Sequence, residues 1–406
     1  MPARDDPLPL DGAVVVVGGS LAGLRAAQEL RTGGFRGRLV MVCEERHLPY
    51  DRPPLSKQVL AGKWEPEAAT LVGPEDLERL SLEVLVGHRA ISLESISRRV
   101  ELDDGGWLGA DGVVVATGAR PRRIFQDQGV LVLRTIEDCS RIRSRVLSVG
   151  EGCRLVVIGA GFIGSEVAAT CCGLGCSVTL LESLDAPFAQ ALGRELGGAV
   201  GALHTANGVT LETSCSVSAV HPRPDGTSRV QLGDGTMLTA DLVVAGVGVV
   251  PADSWLKDSG LAVQDGVVCD EHLFAADGVV AAGDVARFSF NGELARIEHW
   301  QTAADLGVAA AQSLIAGRAR AEVVRPLGYF WSDQYGKKIQ VLGRLCPDDE
   351  VVVADGALDS NFVALLRRGH ELRAAVSLGR PRQLMALRPL FLTGASFEEA
   401  LRAMRN

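Results

Sequence analysis

Three glycines and one carboxylate carry the clearest chemistry in this chain. In the stretch LVVIGAGFIGSEVAATCCGLGCSVTLLE, residues 155–182, Gly159, Gly161 and Gly164 stand at G-x-G-x-x-G spacing and Glu182 closes the run. Gly159 permits a tight turn, Gly161 lets backbone approach a pyrophosphate, and Gly164 lets a helix pack closely on a strand. The phosphates then lie at the N-terminus of a helix opening with Phe162 and Ile163, where free N–H groups and the helix dipole favour negative charge. A close helix–strand contact can produce the glycine spacing alone, but strand, helix, strand and terminal acid together specify dinucleotide binding. The Glu182 carboxylate should accept from the 2′- and 3′-hydroxyls of NADH and repel a 2′-phosphate. Ser183-Leu184-Asp185 offers no arginine to neutralise that phosphate, so NADH is expected over NADPH.

A second unit lies near the N-terminus, in the turn Gly18-Gly19-Ser20-Leu21-Ala22-Gly23, with Glu44 as its terminal acid. Ser20 stands where the middle glycine is expected and puts a small side chain where backbone must meet phosphate. An ordinary strand–helix–strand unit without ligand is the plain alternative.

The elements that must position these groups are readable from apolar runs. Leu155–Ile158 and Ser177–Leu181 suit buried strands flanking a helix over Phe162–Cys172; Ala13–Val17, Leu21–Arg31 and Arg38–Cys43 repeat the pattern. Between them, Arg52-Pro53-Pro54-Leu55-Ser56-Lys57 gives a rigid loop with a short helical run. Arg52 could meet a pyrophosphate and Lys57 a polar ring atom, or both could simply face solvent. Residues 65–112 carry short alternating strands. A strand ending in Ala116-Thr117-Gly118 and a matching one ending in Gly246-Val247-Gly248 bracket the central unit. The simplest topology inserts one nucleotide domain, residues 117–246, into another made of 1–116 and 247–325. In the return segment, Val279–Asp284 places Asp284 at a strand edge, where it could meet a sugar-like hydroxyl or cap a helix. Trp300 opens a helical stretch and could lie against a planar ring or in the core. A small α+β domain, 326–406, begins with the aromatic run Phe330–Tyr335 and ends in a helix over Ser396–Met404. It carries Lys337, Lys338, Arg367, Arg368, Arg373, Arg380, Arg382 and Arg388.

The bulk numbers exclude several classes. With 406 residues, 47% hydrophobic and 22% charged, the composition is that of a globular α/β protein of two or three domains. A net charge of −9 argues against broad nucleic-acid or anionic-membrane binding. No apolar run has the length of a membrane span, and the start, MPARDDPLPLDG, has no signal-peptide core, so a cytoplasmic protein is expected. The nine cysteines form no C-x-x-C. Cys172 and Cys176 fall at the end of a packing helix, where cysteine usually serves as a small core residue, so no metal or disulfide framework is expected.

Taken as a set, GGSLAG, YDRPPLSK, ATGARP, GAGFIGSEVAA, AGVGVVP, AAGDVA, EHW and FWSDQYG resemble a family: the FAD-dependent NADH:ferredoxin reductases of bacterial oxygenase and cytochrome P450 electron-transfer systems. The resemblance spans nearly the whole chain and implies a glutathione-reductase-like fold, with an NAD domain inserted in an FAD domain and a C-terminal domain. It also implies the reaction, in which NADH reduces FAD and an iron–sulfur ferredoxin receives the electrons singly. Carried over by position, the FAD site comprises Gly18, Ser20, Ala22, Gly23, Glu44, Arg52, Lys57, Ala90, Thr117, Gly118, Arg134, Asp284 and Trp300. The NAD site comprises Gly159, Gly161, Phe162, Ile163, Gly164, Glu182 and Gly248. Lys57 and Glu166 are implied to pair beside the flavin and assist hydride transfer. The resemblance is compatible with a monomer or weak dimer. Other readings on the same fold remain open: a rubredoxin-linked reductase, an apoptosis-inducing-factor-like redox sensor, or a disulfide reductase. The last needs a flavin-facing cysteine that the loop ending in Ser56-Lys57 does not supply.

Overall fold

The computed structural model describes residues 6–125, 128–290, 293–346 and 348–405. Its backbone divides into two compact units, one of Met1–Asp51, Ala69–Arg120 and Val250–Pro326, the other of Arg52–Ala68, Pro121–Val249 and Leu327–Asn406.

The first unit is built on a six-stranded sheet in the order Phe274–Ala276, Val279–Ala281, Gly112–Val115, Ala13–Val17, Arg38–Cys43, Leu82–Val86. Its neighbours are parallel apart from the pair Phe274–Ala276 and Val279–Ala281. Central strands such as AVVVV and GVVV are apolar on both faces because both faces are covered. The helices Leu21–Thr32 and Trp300–Ala316 pack against each other and bury Ala26, Ala27, Leu30, Ala310, Ala311 and Leu314. Small residues dominate the contact. A Cβ at Gly307 would stand 2.3 Å from the Ala22 carbonyl, so the helices meet where only glycine fits. At the nucleotide turn, a Cβ on Gly19 would lie 1.9 Å from the Sγ of buried Cys43. The short alternating strands split: Leu82–Val86 joins the main sheet, while Ala90–Glu94, Arg99–Leu102 and Trp107–Gly109 form their own antiparallel sheet.

The second unit repeats the parallel plan in the order Thr210–Glu212, Ser177–Leu181, Arg154–Ile158, Leu242–Ala245, Leu131–Val132. A three-stranded antiparallel sheet, Val217–Pro222, Ser228–Leu232 and Met237–Ala240, packs beside it. The same unit holds a five-stranded antiparallel sheet in the order Tyr329–Gln334, Lys337–Gly343, Glu371–Leu378, Phe362–Arg368, Glu350–Gly356. One face of this sheet buries Phe330, Val341 and Val376 with Leu192, Leu196 and Val200 of the helix Ala189–Ala206. The other face buries Leu342, Leu365 and Ala375 with Leu384, Leu387 and Phe397. The terminal helix runs Phe397–Arg405. Among the described residues, no helix is long and apolar enough to cross a membrane.

Candidate functional site

Both glycine turns end in helices whose N-termini are left open. The helix Leu21–Thr32 starts after Ser20 and the helix Phe162–Gly173 after Gly161; neither has a side-chain cap or an acid in its first turn. The helix Ile136–Val149 shows the contrast, because Thr135 accepts from the Asp138 N–H and Glu137 and Asp138 occupy the first turn. Uncapped N–H groups and the positive end of the dipole therefore remain available for an anion at each nucleotide turn.

The glycines of the second turn differ in what surrounds them. Gly159 has φ +97° and its Cβ would meet the Gly246 carbonyl at 2.6 Å. A Cβ on Gly164 would stand 2.0 Å from the Gly159 carbonyl, so helix and strand touch there. Gly161 is different: its nearest neighbour would be the Gly246 carbonyl at 3.9 Å, which leaves an open approach above the backbone. Gly248, with φ +89°, also has nothing within 4 Å of its Cβ position. This open cradle over a bare helix N-terminus fits a pyrophosphate. Phe162 packs edge-on to Phe330 at 4.8 Å and against Phe188 at 4.9 Å, while Ile163 is exposed. Glu182 follows its strand and is 9% exposed; its carboxylate accepts from the Ala160 N–H at 2.8 Å and the Leu184 N–H at 3.0 Å. These two bonds hold the acid at the turn and leave it further acceptor capacity.

In the first turn a Cβ on Gly23 would meet the Gly18 carbonyl at 2.1 Å, and Gly18 has φ +122°. Gly23 thus makes the helix–strand contact, with buried Ala22 beside it. Glu44, half exposed, pairs with Arg120 at 2.6 Å. Thr117 Oγ1 donates to the Ala252 carbonyl at 2.7 Å, and the Ala252 N–H donates back to the Gly118 carbonyl at 2.9 Å. Ala90 opens its strand and is buried. Asp284 sits in a short helical turn after Val279–Ala281, and a Cβ on the preceding Gly283 would touch that of Ala22 at 2.9 Å. Asp284 therefore belongs to the neighbourhood of the first turn. Next to it, burial pushes the His299 imidazole down to about 4, opposed by the Asp284 carboxylate, so the ring is neutral at neutral pH. Trp300 starts its helix and its Nε1 donates to Asp51 at 2.6 Å.

In the second unit, the short helical turn Pro53–Ser56 delivers Lys57 to Glu166. Lys57 Nζ stands 2.7 Å from the Glu166 Oε2, and the two side chains are only 12% and 4% exposed. Ser56 Oγ donates to the same oxygen at 2.5 Å, and Ser332 Oγ donates to Oε1 at 2.7 Å. Arg52 donates to the Arg134 carbonyl at 2.8 Å. Ser56, Ser332 and Gln334 were not singled out from sequence. The signal for Ser332 and Gln334 was polar residues at alternate positions, visible only once Tyr329–Gln334 is taken as a strand, whereas Ser56, at the end of the turn Pro53–Ser56, carried none. Among the basic residues of the C-terminal sheet region, Lys338, Arg367, Arg368, Arg373 and Arg380 each pair with a carboxylate. The Cys43 thiol is buried, and burial pushes it up to about 12, which keeps it protonated and unreactive.

Residues 12–307 match the family described as pyridine nucleotide-disulphide oxidoreductase, and residues 329–404 match the reductase C-terminal domain. The rhodocoxin reductase of Rhodococcus erythropolis is 34% identical over 389 residues, covering 94% of this chain and 90% of that protein. The ferredoxin–NAD(+) reductase subunit of a Pseudomonas putida benzene 1,2-dioxygenase system is also 34% identical, covering 91% and 90%. The structure of the covalent putidaredoxin reductase–putidaredoxin complex superposes with a TM-score of 0.89 at 30% identity, covering 97% of this chain and 98% of that one. The fold is the glutathione-reductase type, with two Rossmann-like sheets and a C-terminal α+β domain, and the chain belongs to the pyridine nucleotide-disulphide oxidoreductase family.

Proposed function

We propose that this chain is an FAD-containing reductase that takes a hydride from NADH and delivers electrons singly to an iron–sulfur ferredoxin serving a cytochrome P450 or ring-hydroxylating oxygenase. The observation that carries this reading is the pair of bare, acid-free helix N-termini behind glycine turns, which suit two nucleotide pyrophosphates in one chain. Relatives named as a rhodocoxin reductase and as a ferredoxin–NAD(+) reductase subunit, and a C-terminal domain of reductase type, support the acceptor.

The first turn, with Gly18, Ser20, Ala22, Gly23, Glu44, Ala90, Thr117, Gly118, Asp284 and Trp300, would hold FAD. Arg52, Lys57 and Arg134 keep the flavin roles that the resemblance implies. The second turn, with Gly159, Gly161, Phe162, Ile163, Gly164, Glu182 and Gly248, would hold NADH. Bound FAD supplies the chemistry: it accepts two electrons together and releases them one at a time. The protein supplies binding, orientation and charge. Glu182 orients the adenosine ribose and selects against a 2′-phosphate. Lys57 offers a positive charge to an electron-rich ring, and Glu166 offsets the cost of burying that ammonium. The cytoplasm is the compartment that suits nine thiols and a nicotinamide donor.

The test is an anaerobic titration of the purified yellow protein with NADH, followed by a screen of ferredoxins as acceptors. Bleaching of the flavin by one equivalent of NADH and rapid ferredoxin reduction are expected. A protein without flavin, or one reduced by NADH that passes electrons to no ferredoxin, overturns the proposal.

A further inference from the structure

The C-terminal sheet reaches into the Lys57–Glu166 pair through a single hydroxyl. The strand Tyr329–Gln334 alternates, burying Phe330, Ser332 and Gln334 and leaving Tyr329, Trp331 and Asp333 partly exposed. On the buried side, Gln334 Nε2 donates to Ser332 Oγ at 3.1 Å, and Ser332 Oγ donates to Glu166 Oε1 at 2.7 Å. The amide occupies an acceptor site of the hydroxyl, so the hydroxyl proton is directed at the carboxylate. The other carboxylate oxygen is taken by Lys57 and Ser56. Ser332 is thus the only donor to Oε1 among the described residues.

Geometry and solvation make this bond consequential. Ser56, Glu166, Ser332 and Gln334 are 2%, 3%, 0% and 1% exposed, so bulk water does not reach the carboxylate. Deleting one hydroxyl leaves a hole smaller than a water molecule needs, and Oε1 then has no donor. We propose that Ser332 is a positioning residue, which holds the Glu166 carboxylate aimed at Lys57 and thereby ties that pair to the C-terminal sheet. The inference rests on the reductase reading only for its kinetic consequence.

The elements packed on the helix Phe162–Gly173 are the strands Arg154–Ile158, Ser177–Leu181 and Tyr329–Gln334 and the turn Pro53–Ser56. Their charged groups are Arg154, bonded to Asp241; Asp333, on the opposite face of its strand and paired with Lys338; Glu182 just beyond Leu181, held by backbone N–H groups; and Arg52 and Lys57 flanking the turn. Of these, Lys57 is the one hydrogen-bonded to Glu166.

Two readouts test the proposal on the holoenzyme. The first is the infrared carboxylate stretch of Glu166, identified by subtracting the Glu166→Gln spectrum. Ser332→Ala should shift that band, because one carboxylate oxygen loses its donor; an unmoved band overturns the proposal. The second is a double-mutant cycle on flavin reduction by NADH. Ser332→Ala should slow reduction about tenfold with Glu166 present and less than about twofold in the Glu166→Gln background. Equal slowing in both backgrounds assigns Ser332 to general packing and also overturns it. If NADH does not reduce the wild-type flavin, the proposed function fails, and the infrared band still decides the role of Ser332.

Discussion

A methyl group at Gly161 and one at Gly164 should have opposite consequences, although the two glycines belong to one turn. At Gly164 the new Cβ would lie 2.0 Å from the Gly159 carbonyl, against an ordinary contact distance that begins at 3.4 Å. The helix must retreat from the strand by about 1.4 Å or the backbone must bend, which costs about 1–3 kcal/mol. In a domain of this size that lowers Tm by about 2–12 °C. At Gly161 the methyl meets only the Gly246 carbonyl, at 3.9 Å, and the backbone, with φ −78°, suits any residue. Alanine is a poorer N-cap than glycine by about 0.5–1 kcal/mol, but it restricts the unfolded chain by a similar amount, so the two effects offset. Gly161→Ala should therefore fold with a Tm close to that of the wild type. It should nonetheless bind NADH poorly, because the methyl stands where backbone N–H groups must reach the pyrophosphate. Losing one charge-assisted hydrogen bond of about 1.5–3 kcal/mol weakens binding about ten- to a hundredfold. Calorimetric unfolding together with equilibrium titration of NAD+ measures both quantities on the same samples. Unaltered nucleotide affinity in a well-folded Gly161→Ala protein would refute the placement of the pyrophosphate over this residue.

Further expectations concern charge. Lys57→Met should leave Glu166 buried without its cation and cost about 3 kcal/mol of stability, and adding Glu166→Gln should restore part of it; a double variant less stable than Lys57→Met would contradict the pairing argument. The NADH preference set by Glu182 should appear as a kcat/KM about ten- to a hundredfold higher than with NADPH, and equal values would remove Glu182 from selection. His204 is fully buried, its Nδ1 2.8 Å from Tyr335 Oη, and burial pushes its imidazole down to about 4. The unfolded chain then binds a proton that the folded one refuses between about pH 6.5 and pH 4. Stability from this group is complete above pH 6.5 and lost as pH falls, by up to about 1.4 kcal/mol per unit. Comparing urea unfolding of the wild type and His204→Gln across that window isolates it; parallel curves would count against a buried neutral ring. Lys337, Arg382 and Arg388 are basic residues of the C-terminal domain outside the ion pairs described for that domain. Charge reversal at these positions should slow ferredoxin reduction several-fold and flatten its salt dependence while flavin reduction by NADH stays unchanged.

What was legible in the sequence follows the range of the forces involved. The two nucleotide turns were readable because their signals are local: apolar runs, glycine spacing and a terminal acid within one supersecondary unit. Strands over Ala13–Val17, Arg38–Cys43 and Ser177–Leu181 match their expected bounds, and the helix expected over Phe162–Cys172 extends one residue, to Gly173. The helix Ala189–Ala206 was not legible, because its several glycines dilute the periodicity and Gly193 bends it at φ +74°. The strand Glu371–Leu378 escaped notice because charged residues open it and its place between Lys337–Gly343 and Phe362–Arg368 is fixed by pairing with strands distant in sequence. For the same reason Ser332 could not be joined to Glu166 by inspection. Their contact spans 166 residues and depends on a sheet whose register sequence spacing does not specify.

The contact between Gly19 and Cys43 constrains how this chain can diverge. The sulfur of residue 43 occupies the space that any side chain at residue 19 would need, 1.9 Å from its Cβ position. Gly19 is required by its neighbour rather than by its own backbone, so the two positions form one unit of variation. Alanine at 19 would still stand 2.8 Å from a Cβ at residue 43, so it becomes tolerable only after residue 43 has shrunk to glycine, and the reverse order passes through a clashing intermediate. Descendants of this chain would therefore acquire the two changes in a set sequence, and a library randomised at both sites should recover a side chain at 19 only where residue 43 is glycine.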